Sequence, residues 1–397
     1  MNGRERMAVA MRGGRADRVP VMCQLALGHY FLHGGLPPHR IWFTSEGFAE
    51  VLVKLQRRYR FDGILINLPG RPPGMLDDLA RVETSPEGER LTWKNGDTTW
   101  FPPDDSPHHY PARADLPQRA DFDSLDPDHL EKINRLPGYA WGVYHVPWVA
   151  SLEEGGPLAP LPEYFGLTIG QVRAAVGEEV SVHGEVFSPF THLMELLGYE
   201  AAMIGLATDP AKVHALLGRL AGASVAWGRA QARLGVDAVL ISSAFAGGAF
   251  LSPARYREFI IPYERQVAEA VKAEGVAVYT HTCGRLGDRL ELLAETGTQG
   301  VDTLDPAPLG NVNLADAKHR IGSRLFIKGN LNAVEMLASR TPGEIEAQVL
   351  DRLRAGMAGG GYILSTACSV APRVEPWKLE LLTPLAEKHG RYETAGP

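Results

Sequence analysis

The chain has 397 residues, 45% of them hydrophobic, and a formal net charge of -7. That charge is spread along the sequence rather than gathered in blocks, which argues against a nucleic-acid or anionic-membrane partner. No stretch approaches the roughly 20 apolar residues of a membrane span, and the charged opening MNGRERMAVAMRGG lacks a run long enough for a signal peptide, so a cytosolic protein is expected.

Short β-branched or apolar runs alternate with longer helical patterns. The predicted strands, in chain order, are 19–23 (VPVMC), 63–68 (GILINL), 180–186 (VSVHGEV), 237–242 (DAVLIS), 276–281 (VAVYTH), 300–304 (GVDTL), 325–329 (LFIKG) and 362–365 (YILS). Helical patterns fall over 46–59, 210–234, 255–274, 285–295, 342–357 and 376–389. Eight strands with crossover helices predict one closed (β/α)8 TIM barrel spanning residues 1–397. An open doubly wound sheet fits the alternation too, but no GxGxxG follows the first strand. More than one hundred residues separate the second and third strands. They include LTWKNGDTTW (91–100), whose Asn-Gly pair between β-formers signals a hairpin, followed by a proline-rich stretch. Residues 87–165 therefore read as an insertion between strands 2 and 3, packed over one end of the barrel.

In such a barrel, reactive groups project from the C-terminal ends of the strands. Those positions hold Gln24 and His29, then Asn67, Glu185, Ser242 and Ser243, His281 and Cys283, Asp305, Asn330 and Asn332, and Cys368. His33 and Tyr30 follow the first strand and are pocket candidates. Three cysteines in a long cytosolic chain do not make a disulfide framework. Cys23 lies in an apolar run and reads as a small buried hydrophobe. His281 and Cys283 are two apart, so an extended backbone points both side chains the same way. Cys368 lies 85 residues on, but barrel closure brings it to the same rim. Imidazole and thiolates are the preferred ligands of zinc, and three protein ligands leave a fourth position for substrate. Asp305 or Glu185 could occupy that position, orient substrate, or act as an acid or base. Trp93, Trp100, His108, His109 and Tyr110 of the insertion could line a pocket; surface packing is the alternative.

These residues carry a family resemblance. The segments 4–21, 184–200, 235–263, 281–290, 327–337 and 359–376 resemble the uroporphyrinogen decarboxylase superfamily. Within it, the chain is similar to the zinc-dependent corrinoid methyltransferases, of the methylcobalamin:coenzyme M methyltransferase and O-demethylase kinds. Their HxC…C signature falls on His281, Cys283 and Cys368. The decarboxylase branch fits less well. Its arginine-rich segment after the first strand is MCQLALGHYF here, its acidic residue at the end of the second strand falls near Asn67, and its late histidine segment is STACS. A tetracarboxylate without matching cations would suffer a large desolvation cost.

The resemblance implies a zinc enzyme moving a methyl group between a small substrate, thiol or methyl ether, and a corrinoid. The sequence holds no cobalamin-binding signature, so methylcobalamin or a corrinoid would arrive on a partner protein. Glu185, Asp305 and Asn330 are the expected catalytic groups. Gln24, His29, Tyr30, Asn67 and Ser242 are the expected substrate contacts, and His281, Cys283 and Cys368 the metal ligands. The alternatives are a zinc lyase or decarboxylase that needs no cobalamin, and a non-enzymatic barrel with a structural zinc.

Overall fold

A computed structural model describes residues 1–112, 119–130 and 161–392. Among the described residues, seven parallel strands form one curled sheet in sequence order: β1 Gly63–Ile66, β6 Ser181–Phe187, β7 Ala238–Ser242, β8 Ala277–Thr282, β9 Gly300–Thr303, β10 Phe326–Leu331 and β11 Tyr362–Thr366. Nearly every residue of these strands is buried. That is the pattern of a parallel sheet covered on both faces, and it explains why the strands read as continuous apolar runs. Helices such as Ser45–Tyr59, Pro210–Arg233 and Pro342–Gly356 pack outside. The predicted helix over 255–274 is two helices, Pro253–Phe259 and Ile261–Lys272, because Pro262 cannot donate to the helical ladder. That over 285–295 shrinks to Leu290–Leu293 plus a short 3-10 turn.

The predicted first strand is not a ladder strand. Residues 19–25 run between the two edges of the sheet and make isolated parallel bridges, Val21 to Leu364 and Leu25 to Val370. Met22 N–H donates to the Leu364 carbonyl at 3.1 Å, Leu364 N–H to the Pro20 carbonyl at 2.9 Å, and Asp62 N–H to the Val21 carbonyl at 2.8 Å. Pro20 has no N–H to offer, and Val21 N–H goes to the Asp62 carboxylate at 2.7 Å instead of to a neighbouring strand.

Inside the curl, Met22, Leu65, Leu240, Tyr279, Phe326 and Ile363 meet Met7, Ala10 and Met11 of the helix Gly3–Met11. The helix plugs the N-terminal end, so the interior is a packed core and access is left to the opposite rim. Between β1 and β6, a four-stranded antiparallel sheet is built from β2 Leu79–Ser85, β3 Gly88–Trp93, β4 Thr98–Phe101 and β5 His108–Tyr110. The Asn-Gly hairpin is the β3–β4 pair. The sheet begins at Leu79, earlier than the expected start at 87, and residues 113–118 and 131–160 of the expected insertion lie outside the described residues.

Candidate metal centre and its cavity

β8 carries His281 to the C-terminal rim, and the next turn returns Cys283 beside it. His281 Nε2 lies 3.2 Å from Cys283 Sγ. Cys283 Sγ lies 3.6 Å from Cys368 Sγ, delivered by the turn after β11. The Thr366 hydroxyl holds that turn by donating to the Cys368 carbonyl at 2.6 Å. All three donor atoms fall within 4.8 Å of one another. A tetrahedral zinc with bonds of 2.0–2.3 Å would set N···S and S···S edges of about 3.6 and 3.8 Å, so the donor set fits zinc in chemistry and in spacing. Cys23 is buried and stands apart, among the core side chains.

The backbone around the centre is specialised. Gly284 sits at φ +82 and donates its N–H to Asp305 Oδ2 at 2.7 Å. A Cβ on Gly247 would come within 2.3 Å of the Cys283 carbonyl oxygen. At the end of β9, Thr303 and Leu304 both adopt positive φ, 87° and 53°. Such strain costs on the order of 1–3 kcal/mol per residue and collects at functional sites.

The thiols share a hydrogen bond, which pulls Cys368 down to about 4. The same contact, with burial, pushes Cys283 up. Burial opposes charge on His281, but the neighbouring Cys283 and Asp302 outweigh it and raise its pKa well above the usual range.

Beside this cluster lies a cavity of about 280 Å³. Its wall reaches Ser369, next to Cys368, and Ser242, the registered neighbour of His281. Gln24, Tyr30, Asn67, Glu185 and Ser242, five of the expected site residues, line it together. Trp42, Phe48, Phe187 and Phe245 supply aromatic walls, and Thr191 and Glu195 further polar surface. Asn67 Nδ2 donates to Glu185 Oε2. Burial still pushes the Glu185 carboxyl above the ordinary carboxylate range, against the hydrogen bonds from Asn67 and Ser242. Among the described residues, no cationic side chain lines the cavity.

Other expected residues stand outside the cavity wall and the three-donor group. Asp305 is buried beside the cluster, with its pKa pushed up to about 6 chiefly by burial, and its Oδ1 has no partner among the described residues. Neither Asp305 nor Glu185 joins the three donors in the compact group. Asn330 is fully buried and its amide is consumed: Nδ2 donates to the Leu304 carbonyl at 2.7 Å and Oδ1 accepts from Arg352 at 2.9 Å. His29 lies outside the cavity wall, with Nε2 2.7 Å from the Tyr59 hydroxyl, and His33 Nε2 is 3.2 Å from the Pro372 carbonyl. Asn332 caps the helix Ala333–Ala338, and the Ser243 hydroxyl donates to Glu264. Trp93 packs edge-on against Phe43, Trp100 lies under Arg90, and His109 faces Asp97. None of these, nor His108 or Tyr110, lines the cavity; Ser106 from the same region does.

Asp302, Thr303 and Lys328 are the polar residues that strand-end reading passed over. Their signal in the sequence is a lone aspartate and a lone lysine inside two consecutive apolar strands.

The family model for uroporphyrinogen decarboxylase (URO-D) matches residues 149–389, more than half of the chain. The chain belongs to the uroporphyrinogen decarboxylase family. It is similar to a methylated-thiol–coenzyme M methyltransferase of Methanosarcina mazei, 28% identical over 228 residues, covering 57% of each chain. A methylcobamide:CoM methyltransferase of the same organism is 26% identical over 54% of this chain and 60% of its own length. A uroporphyrinogen decarboxylase of Nocardia farcinica is 30% identical over 57% of this chain and 65% of its own. The matches thus span less than two thirds of these relatives. A solved methyltransferase structure from Methanosarcina mazei superposes over 98% of this chain and 99% of its own, with a TM-score of 0.70 at 16% identity, which shows a shared fold. No helix among the described residues is long and apolar enough to cross a membrane.

Proposed function

We propose that this chain is a zinc-dependent methyltransferase, moving a methyl group between a small thiol or methyl ether and a corrinoid carried by a partner protein. The observation that carries this reading is the convergence of His281, Cys283 and Cys368 beside a walled cavity. The reading takes the curled sheet and residues 19–25 as one (β/α)8 barrel, residues 1–397 as one domain with 87–165 inserted, and the cytosol as its setting.

Zinc bound here would lower the pKa of a substrate thiol or act as a Lewis acid on an ether oxygen. The chain's own groups do the rest. Cys283 and Cys368 donate two thiolates, which keep the centre electron-rich. Tyr30, Trp42, Phe48 and Phe245 exclude water and hold the substrate's apolar body. Gln24, Asn67 and Ser242 offer hydrogen bonds that orient it. Glu185, raised by burial, can hold or take a proton within the cavity. Asp305 flanks the metal ligands, where it can orient substrate or exchange a proton with it.

A second reading, a lyase or decarboxylase without cobalamin, has the decarboxylase relatives in its favour. The acidic, aromatic wall favours an uncharged substrate over a polycarboxylate. The test is a methyl-transfer assay with a corrinoid protein, with free methylcobalamin, and after zinc removal. Turnover that needs both zinc and corrinoid supports the proposal; metal-dependent product without corrinoid contradicts it.

A further inference from the structure

His281, Asp302 and Lys328 stand in one registered row across three strands: His281 pairs with Asp302 between β8 and β9, and Asp302 with Lys328 between β9 and β10. All three are almost fully buried. Lys328 Nζ donates to both Asp302 oxygens, at 3.0 and 3.1 Å. Thr303 N–H folds back onto Asp302 Oδ1 at 2.8 Å. On the other side, His281 Nδ1 lies 2.8 Å from the Thr303 hydroxyl and 3.3 Å from Asp302 Oδ2.

A buried ion pair of this kind is weak support for stability, because apolar residues of similar volume generally replace it at no loss. Its position suggests a different use. A histidine that binds metal through one ring nitrogen commonly donates its other N–H to a carboxylate, which fixes the tautomer and raises the ligand's basicity. Here the carboxylate lies behind the ring and the thiols lie in front.

We propose that Asp302, Thr303 and Lys328 are positioning residues for His281. Asp302 and Thr303 accept the Nδ1 hydrogen, so the Nε2 lone pair faces Cys283 and Cys368. Lys328 pairs with both Asp302 oxygens from the far side, so the charge of the carboxylate that faces His281 is matched within the interior. The row adds no net charge of its own, because one lysine offsets one aspartate. The positive φ of Thr303 belongs to the same device, since it turns both the N–H and the hydroxyl of one residue onto neighbours in the row.

The inference rests on the zinc reading above, and zinc affinity of the full chain tests the two separately. Metal-free protein is titrated with zinc against a chromophoric chelator, for wild type, for Asp302→Asn/Lys328→Met and for Thr303→Val. The double substitution leaves no buried charge unpaired. It is expected to weaken zinc about 10- to 100-fold while the metal-free protein melts close to wild type. Thr303→Val keeps the ion pair and is expected to lose about three- to tenfold. Cobalt-substituted double variant should keep its thiolate charge-transfer bands but shift its ligand-field bands, a change that a fold defect alone would not produce. Wild-type zinc affinity in the double variant overturns the inference. Should that variant not fold, unchanged affinity in Thr303→Val overturns it. Failure of wild type itself to bind zinc removes the zinc reading, and the inference with it.

Discussion

Two carboxylates at the N-terminal end of the strands and two at the C-terminal end are treated in opposite ways, with Asp302, neutralised by Lys328, standing apart from the second two. At the N-terminal end, Asp62 is saturated: Arg18 donates to it at 2.7 and 3.0 Å, Arg6 at 3.2 Å and Val21 N–H at 2.7 Å. Asp237 is held by Arg4, Arg173 and Val182 N–H, and although burial would raise its pKa, these partners bring it below the usual value. At the C-terminal end, Glu185 and Glu264 face hydroxyl or amide donors and no paired cation, and burial pushes both up. Satisfied charges at one end fasten the plug helix and the two edges of the sheet. Under-neutralised charges at the other end are where proton traffic and ligand binding can be placed.

The largest effect should come from the saturated end. Asp62→Ala leaves Arg18 buried without its carboxylate, while Arg6 keeps Asp17, and should cost about 3–5 kcal/mol in chemical denaturation. Zinc per folded chain should be unchanged, because the site lies at the opposite rim. Glu185→Gln should do the reverse. It should lower methyl transfer about 10²–10³-fold while leaving the melting temperature level or higher, since folding already favours the neutral carboxyl. A variant that lost stability and activity together would erase the distinction between the ends.

A subtler contrast lies in pH. Burial raises Glu264 from 4.5 to about 7, so its contribution to stability is full below about pH 4.5 and is lost as pH rises through 7. Asp237 is lowered, so its contribution is present above 3.8 and lost as pH falls. Glu264→Gln should therefore flatten the fall in melting temperature between about pH 4.5 and 7 by a few degrees, and Asp237→Asn the fall below 3.8. Slopes that do not separate in this way would contradict the assignment.

Much of the site was legible because periodicity locates strand ends and strand ends locate chemistry. Gln24, Asn67, Glu185, Ser242, His281, Cys283 and Cys368 all come from that reading, and the structure brings them to one cavity and its neighbouring cluster. Side-chain direction was not legible. His29 sits on a short helix, Leu27–His33, whose rotation turns the ring toward Tyr59. Asn330 looked like a strand-end amide, but Leu304 and Arg352 use both its polar atoms. The row of Asp302 and Lys328 depends on the register between β9 and β10, which no single strand encodes. The edge role of residues 19–25 followed from one proline and one side-chain hydrogen bond that periodicity does not see.

The central claim is that His281, Cys283 and Cys368 hold a zinc ion, and elemental analysis of the purified protein beside Cys283→Ser and Cys368→Ser tests it most directly. About one zinc per chain in wild type, lost in both variants with the fold retained, is the expected result. A wild type without zinc, or zinc that survives both substitutions, would contradict it.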